Sequence, residues 1–169
     1  MKGGREGKAC ILIASGKQVV GTITLSDTLR EETPQTPQVI RRLREMRVKP
    51  VLLTGDHTEA ANCLAAQSGI EEVRANLLPE DTVAALNQLR KTDLVCLVGD
   101  GVNDAPALKT ADVGVAMGAM GSDIAVEASD IALMTDDLSK LPYLKWLSDT
   151  TVKTIRSAIT LSMCINLQR

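Results

Sequence analysis

The stretch LVCLVGDGVNDAPALKT, residues 94–110, decides how this chain is read. An apolar run ends in Gly99-Asp100-Gly101, and a second carboxylate follows at Asp104, about one helical turn further on. A short continuous apolar run closed by glycine reads as a strand buried on both faces. NDAPALKT behind it reads as a short helix. Asp100 and Asp104 can then point to the same spot outside the strand. Two hard oxygen ligands suit Mg2+, which takes one or two carboxylates and fills its sphere with water and phosphate oxygens. Asn103 can donate to a phosphate oxygen. The competing reading is an N-cap aspartate beside a solvated one.

On either side of this stretch the chain alternates between strand and helix patterns. Two strand-like runs, 9–14 and 19–27, are separated by Ser15-Gly16-Lys17. Thr33 with Pro34 reads as an N-cap and first-turn proline, followed by Val39, Ile40, Leu43 and Met46 at helical spacing. PVLLTGD (50–56) is a strand ending in a glycine turn, and a helix over 58–67 closes at Gly69. A short strand near Val73, a helix from Pro79 that turns Val83, Leu86 and Leu89 inward, short strands in DVGVAM and DIALM, and a long helix from near Leu138 complete the pattern. Such alternation predicts an α/β fold, a doubly wound parallel sheet covered by helices.

Ligands of open parallel sheets bind outside the carboxyl ends of the strands. That places Asp27, Thr54-Gly55-Asp56, Asp100, Asn103 and Asp104 at the expected site. Thr54 offers a hydroxyl and Gly55 a backbone N–H just before a helix N-terminus, and both are phosphate-binding devices. Thr54 and Asp56 capping that helix is an equal alternative. His57 reads as an exposed residue at the helix start.

Composition narrows the partners. With 19 basic and 21 acidic residues and a formal charge of −2, nothing electrostatic favours nucleic acid. One Trp, one Tyr and no Phe leave no stacking platform for single strands. Cys10, Cys63, Cys96 and Cys164 form no CxxC and read as small buried hydrophobes in a reducing compartment. Residues 157–167, SAITLSMCINL, are uncharged and mostly apolar, but spanning a bilayer takes about 20 such residues. They are expected to be the last turns of a core helix or the first part of a membrane helix.

TGD followed by GDGVNDAP resembles the phosphorylation domain of P-type ATPases, a haloacid-dehalogenase-like fold. GTITLSDTLRE (21–31), LLPED (77–81), ADVGVAMG (111–118) and SDIAVEASDIAL (122–133) fall in the same order. Overall similarity and the TIR…SMCIN stretch resemble the heavy-metal (type IB) pumps that export zinc, cadmium or copper. The resemblance implies that Asp100 is a Mg2+ ligand supported by Asp104, and that Thr54 and Gly55 bind the transferred phosphoryl group. It implies further that Asp56 contacts nucleotide or the metal sphere and Asn103 contacts phosphate, with Asp27 and Arg30 structural near a hinge. Mg2+ and ATP are the implied cofactors, a heavy-metal cation the cargo, and the cytoplasmic face of the membrane the location. The isolated chain itself is expected to be soluble.

The same resemblance divides the chain into a remnant of the nucleotide-binding domain (1–18), a phosphorylation domain without its first strand (19–150), and the start of a truncated transmembrane helix (151–169). Two departures stand out. The motif Asp-Lys-Thr-Gly-Thr, whose aspartate accepts the phosphate in that family, does not occur here. Thr82 stands where the family's PEDK motif has lysine. A stand-alone phosphatase using Asp27, and an inactive domain that regulates a full-length pump, remain the alternative readings.

Overall fold

The computed structural model describes residues 9–16, 18–25, 35–100, 104–118 and 123–167. Asp27, Arg30, Thr33, Pro34 and Asn103 lie outside the described residues. Strands β1 (Ala9–Ser15) and β2 (Gln18–Leu25) form an antiparallel hairpin, with Ile11 opposite Ile23 and a register irregularity between Ile13 and Ala14. Everything after it alternates: α1 (Thr36–Glu45), β3 (Val51–Leu53), α2 (Thr58–Ser68), β4 (Glu72–Arg74), α3 (Pro79–Leu89), β5 (Cys96–Gly99), α4 (Ala105–Thr110), β6 (Val113–Ala116), α5 (Asp123–Ala128), β7 (Ile131–Ala132) and α6 (Lys140–Leu167).

All strand pairs beyond the hairpin are parallel, as the alternation predicts. They form two pieces rather than one continuous sheet: β3 with β4, and β5 with β6 and β7. Only β6 has a hydrogen-bonded neighbour on each side among the described residues, and it supplies Val115 and Ala116, both fully buried. Leu86 of α3 and Leu108 of α4 complete the tightest part of the core. Gly114 allows α4 to approach this closely, because a Cβ there would stand 2.7 Å from the Leu108 carbonyl oxygen.

Local chemistry sets the element ends. Helix α1 begins at Thr36 with Pro37 in its first turn, two to three residues later than the Thr33-Pro34 pair suggests. Helix α2 buries Ala61, Ala65 and Ser68 on one face and stops at Gly69, whose φ of 75° is the left-handed conformation. The Arg44 guanidinium then donates to the Gly69 carbonyl at 2.8 Å and pairs with Glu71 at 2.9 Å. Arg90 at the end of α3 grips Asp112 through two bonds of 3.0 and 2.8 Å. The other Asp112 oxygen accepts the Val95 N–H at 2.9 Å, so one carboxylate ties α3 to the start of β5.

Two expectations need correction. Cys63, Cys96 and Cys164 are exposed thiols, not core residues. Among the described residues β5 pairs along one edge only, which leaves Cys96 exposed, and Cys164 lies far out on α6. Helix α6 starts against α1, with Pro142 buried. From Trp146 to Leu167 every residue is exposed, including Ile155, Ile159, Leu161, Met163 and Ile165. No helix among the described residues is long and apolar enough to cross a membrane.

Candidate functional site

The loops after β3 and β5 meet at one pocket of about 330 Å3, lined by Gly55, Leu77, Pro79, Thr82, Asp104, Pro106 and Ala107. It lies beyond the carboxyl ends of both strands, where the parallel topology predicts a ligand. The first turn of α3 forms one wall, and the start of α4 the other.

Asp104 takes the N-cap position of α4, yet its carboxylate makes no capping bond. It turns back over the strand end and accepts the Asp100 backbone N–H. Gly99 permits this: a Cβ there would fall 2.6 Å from Asp104 Oδ2 and 3.1 Å from its Cβ. The N-cap reading of Asp104 is therefore replaced by an inward-facing carboxylate. Burial, and secondarily the charge of Asp100, push its pKa up, with the Asp100 N–H acting against them. A half-buried carboxylate beside a second carboxylate is a donor set that a divalent cation would relieve. Among the described residues no group of three or more His, Cys, Asp or Glu could hold a metal.

The TGD turn is built differently from a helix cap. His57, not Thr54 or Asp56, precedes α2, and it makes no side-chain capping bond. The Thr54 hydroxyl accepts the Asp56 N–H at 3.1 Å and donates to Asp56 Oδ2 at 3.0 Å. Gly55 is thereby the residue of the turn that faces the pocket, and a Cβ on it would meet the Leu77 carbonyl oxygen at 3.0 Å.

Asn76 holds this turn from behind and is a residue the sequence gave no reason to select. Its backbone N–H donates to the Asp56 carbonyl at 2.8 Å, and its side chain bonds Thr58 at 2.8 Å and His57 Nδ1 at 3.2 Å. Its φ of 57° is a left-handed conformation that Asn tolerates better than most residues. His57 itself is exposed, as expected.

Thr82 lines the pocket one turn into α3, with its hydroxyl donating to the Leu78 carbonyl at 3.3 Å. Asp81 accepts the Leu78 N–H at 3.0 Å and so closes the first turn. The pocket thus unites Gly55, Thr82 and Asp104, while Thr54 and Asp56 stand behind Gly55 and Asp100 is exposed at the strand end.

The chain is thus an α/β fold with parallel strands, carboxylates after one strand and a hydroxyl-glycine turn after another. The chain belongs to the haloacid dehalogenase-like hydrolases, whose family model matches residues 4–112. Among its relatives are a cadmium-transporting ATPase of Staphylococcus aureus, 38% identical over 164 residues, and a manganese-exporting P-type ATPase of Mycobacterium bovis, 42% identical over 164 residues. Each alignment covers 96% of this chain and 22% of the relative. A crystal structure of a zinc-transporting PIB-type ATPase in its E2.Pi state superposes with a TM-score of 0.77 at 40% identity, covering 93% of this chain and 25% of that one. The chain therefore spans between a fifth and a quarter of the length of the heavy-metal P-type ATPases it resembles.

Proposed function

We propose that this chain supplies the magnesium- and phosphoryl-binding half of the phosphorylation site in an ATP-driven export pump for heavy-metal cations. The observation that carries the reading is the Asp104 carboxylate, folded over Gly99 into the pocket that Gly55 and Thr82 share. Asp100 and Asp104 would hold Mg2+, which would supply charge neutralisation for a phosphoryl group. The Gly55 N–H donates to one of those oxygens, and the Thr54 hydroxyl exchanges its Asp56 partner for another. The family resemblance assigns a phosphate contact to Asn103 as well, which lies outside the described residues. The first turn of α3 adds the positive end of a helix dipole. Such a site works by position and charge complementarity, as phosphoryl transfer requires.

Residues 1–18 belong with a nucleotide-binding domain, 19–150 form the phosphorylation domain, and 151–169 lead toward a membrane segment at the cytoplasmic face. The uncovered apolar residues of α6 support the last assignment. The names of the relatives, which cite cadmium, manganese and zinc, support a heavy-metal cation as cargo.

Two measurements test the reading. Titration of the chain with inorganic phosphate in Mg2+ gives weak binding that Asp100→Asn and Asp104→Asn each remove. Incubation with radiolabelled ATP gives no hydroxylamine-sensitive label; a stoichiometric one would mean that the chain has its own acceptor carboxylate and is not half a site. Thr82→Lys restores a point charge at the pocket wall and should tighten phosphate binding about tenfold, ~1.4 kcal/mol.

A further inference from the structure

The turn between β3 and α2 has no packing to hold it. Gly55, Asp56, His57 and Thr58 are all exposed, so burial does not fix the direction of the Gly55 N–H. Hydrogen bonds have to do so. Inside the turn, Thr54 and Asp56 bond only to one another. From outside the turn and its helix, every hydrogen bond that reaches Asp56, His57 or Thr58 among the described residues comes from Asn76. Its N–H donates to the Asp56 carbonyl at 2.8 Å, and its side-chain N–H to the Thr58 hydroxyl at 2.8 Å. That leaves the amide oxygen, 3.2 Å from His57 Nδ1, to accept from the ring. One residue thus pins three consecutive ones.

Asn76 also stands at the root of the α3 wall. Leu77, Pro79 and Thr82 line the pocket, and Leu77 follows Asn76 directly. The Leu77 N–H donates to the Thr54 carbonyl at 3.1 Å, and its own carbonyl is the group that a Cβ on Gly55 would meet. The φ of 57° at Asn76 turns the chain out of β4, which ends at Arg74, and toward α3, which begins at Pro79. Most side chains resist that conformation, whereas Asn and Gly accept it. A single position therefore sets both the turn that carries Gly55 and the wall that carries Thr82.

We propose that Asn76 is a positioning residue for the pocket: it fixes the Gly55 N–H relative to the first turn of α3, so that both are in place before an anion arrives. Donors held in advance need no reorganisation when they meet charge, which is where such a site gains its strength. The same clasp keeps the Asp56 backbone still while the Thr54 hydroxyl leaves the Asp56 carboxylate for a phosphoryl oxygen. That the anion is a phosphoryl group rests on the function proposed above; the hold on the turn does not.

Water-exchange NMR and phosphate titration on the full chain test the inference. Asn76→Gly keeps the left-handed backbone and loses the side-chain bonds, and Asn76→Ala strains the backbone as well. Asn76→Asp keeps both, since a carboxylate accepts from the His57 ring and from the Thr58 hydroxyl. Without ligand, the Asp56 amide should exchange roughly fivefold faster in Asn76→Gly, about the factor that one net hydrogen bond supplies, and faster still in Asn76→Ala. Asn76→Asp should restore the parent rate, and the core amide of Leu86 should not respond. Inorganic phosphate in Mg2+ should shift the Gly55 amide proton of the parent chain, and should shift it less in Asn76→Gly at the same saturation. Unchanged Asp56 exchange in Asn76→Gly, no rescue by Asn76→Asp, or faster exchange shared by Leu86 overturns the inference. So does an equal phosphate-induced shift in parent and Asn76→Gly. If exchange responds as expected but phosphate leaves the parent Gly55 amide unmoved, the clasp stands and the phosphoryl reading falls.

Discussion

Gly99 and Asp104 show what one missing methyl group does. Without a Cβ, Gly99 leaves room at the strand end, and that room is taken by the Asp104 carboxylate itself. Gly99→Ala should displace that carboxylate and lower Mg2+-dependent phosphate affinity at least tenfold by calorimetric titration. Its effect on folding should be smaller than that of Gly114→Ala, since the group in the way is a side chain that can swing outward. At Gly114 the obstacle is the backbone carbonyl of Leu108, 2.7 Å from the added carbon, and α4 must shift on the core. That substitution should cost about 1–3 kcal/mol in urea unfolding. The types and spacing of Asp100 and Asp104 were legible in the sequence. The direction of Asp104 was not, because an aspartate before a short helix normally caps it.

Among the elements, the join between α3 and β5 has the clearest pH signature. Arg90 first, and then the Val95 N–H, hold the Asp112 carboxyl below its ordinary value of 3.8. A carboxyl with a lowered pKa in the folded state binds its proton more readily when unfolded. Its contribution is therefore present above about pH 3.8 and lost as pH falls from there through the folded value. Asp112→Asn should flatten this acid limb in urea midpoints measured from pH 6 to 3, and 1 M salt should weaken the effect in the parent chain. Helix α6 makes the opposite kind of prediction. Since every residue from Trp146 to Leu167 is exposed, removal of residues 152–169 should change stability by less than about 0.5 kcal/mol. The existence of every strand and of every helix but α5 follows from periodicity; α5, six residues long, is too short to show a helical repeat. The exposure of Cys96 does not, because it depends on which strands pair across distant parts of the chain.

In the molecule as a whole, alternation fixes the parallel connectivity, but it cannot show that, among the described residues, β3 pairs with β4 alone and β5 with β6 alone. Pairing is a property of strands remote in sequence, and an apolar run looks the same with one neighbour or two. On the proposed function, phosphate in excess Mg2+ should stabilise the chain through mass action. At ten times the dissociation constant the gain is about 1.4 kcal/mol, a melting shift of roughly 3–5 °C for a chain of this size, and EDTA should abolish it. Helix α6 adds a mechanical consequence. Its 28 residues extend about 42 Å from a base held against α1. A tilt of about 10° at that base carries the far end about 7 Å sideways, so the helix is a lever that turns small rearrangements beside the sheet into large displacements at Leu167.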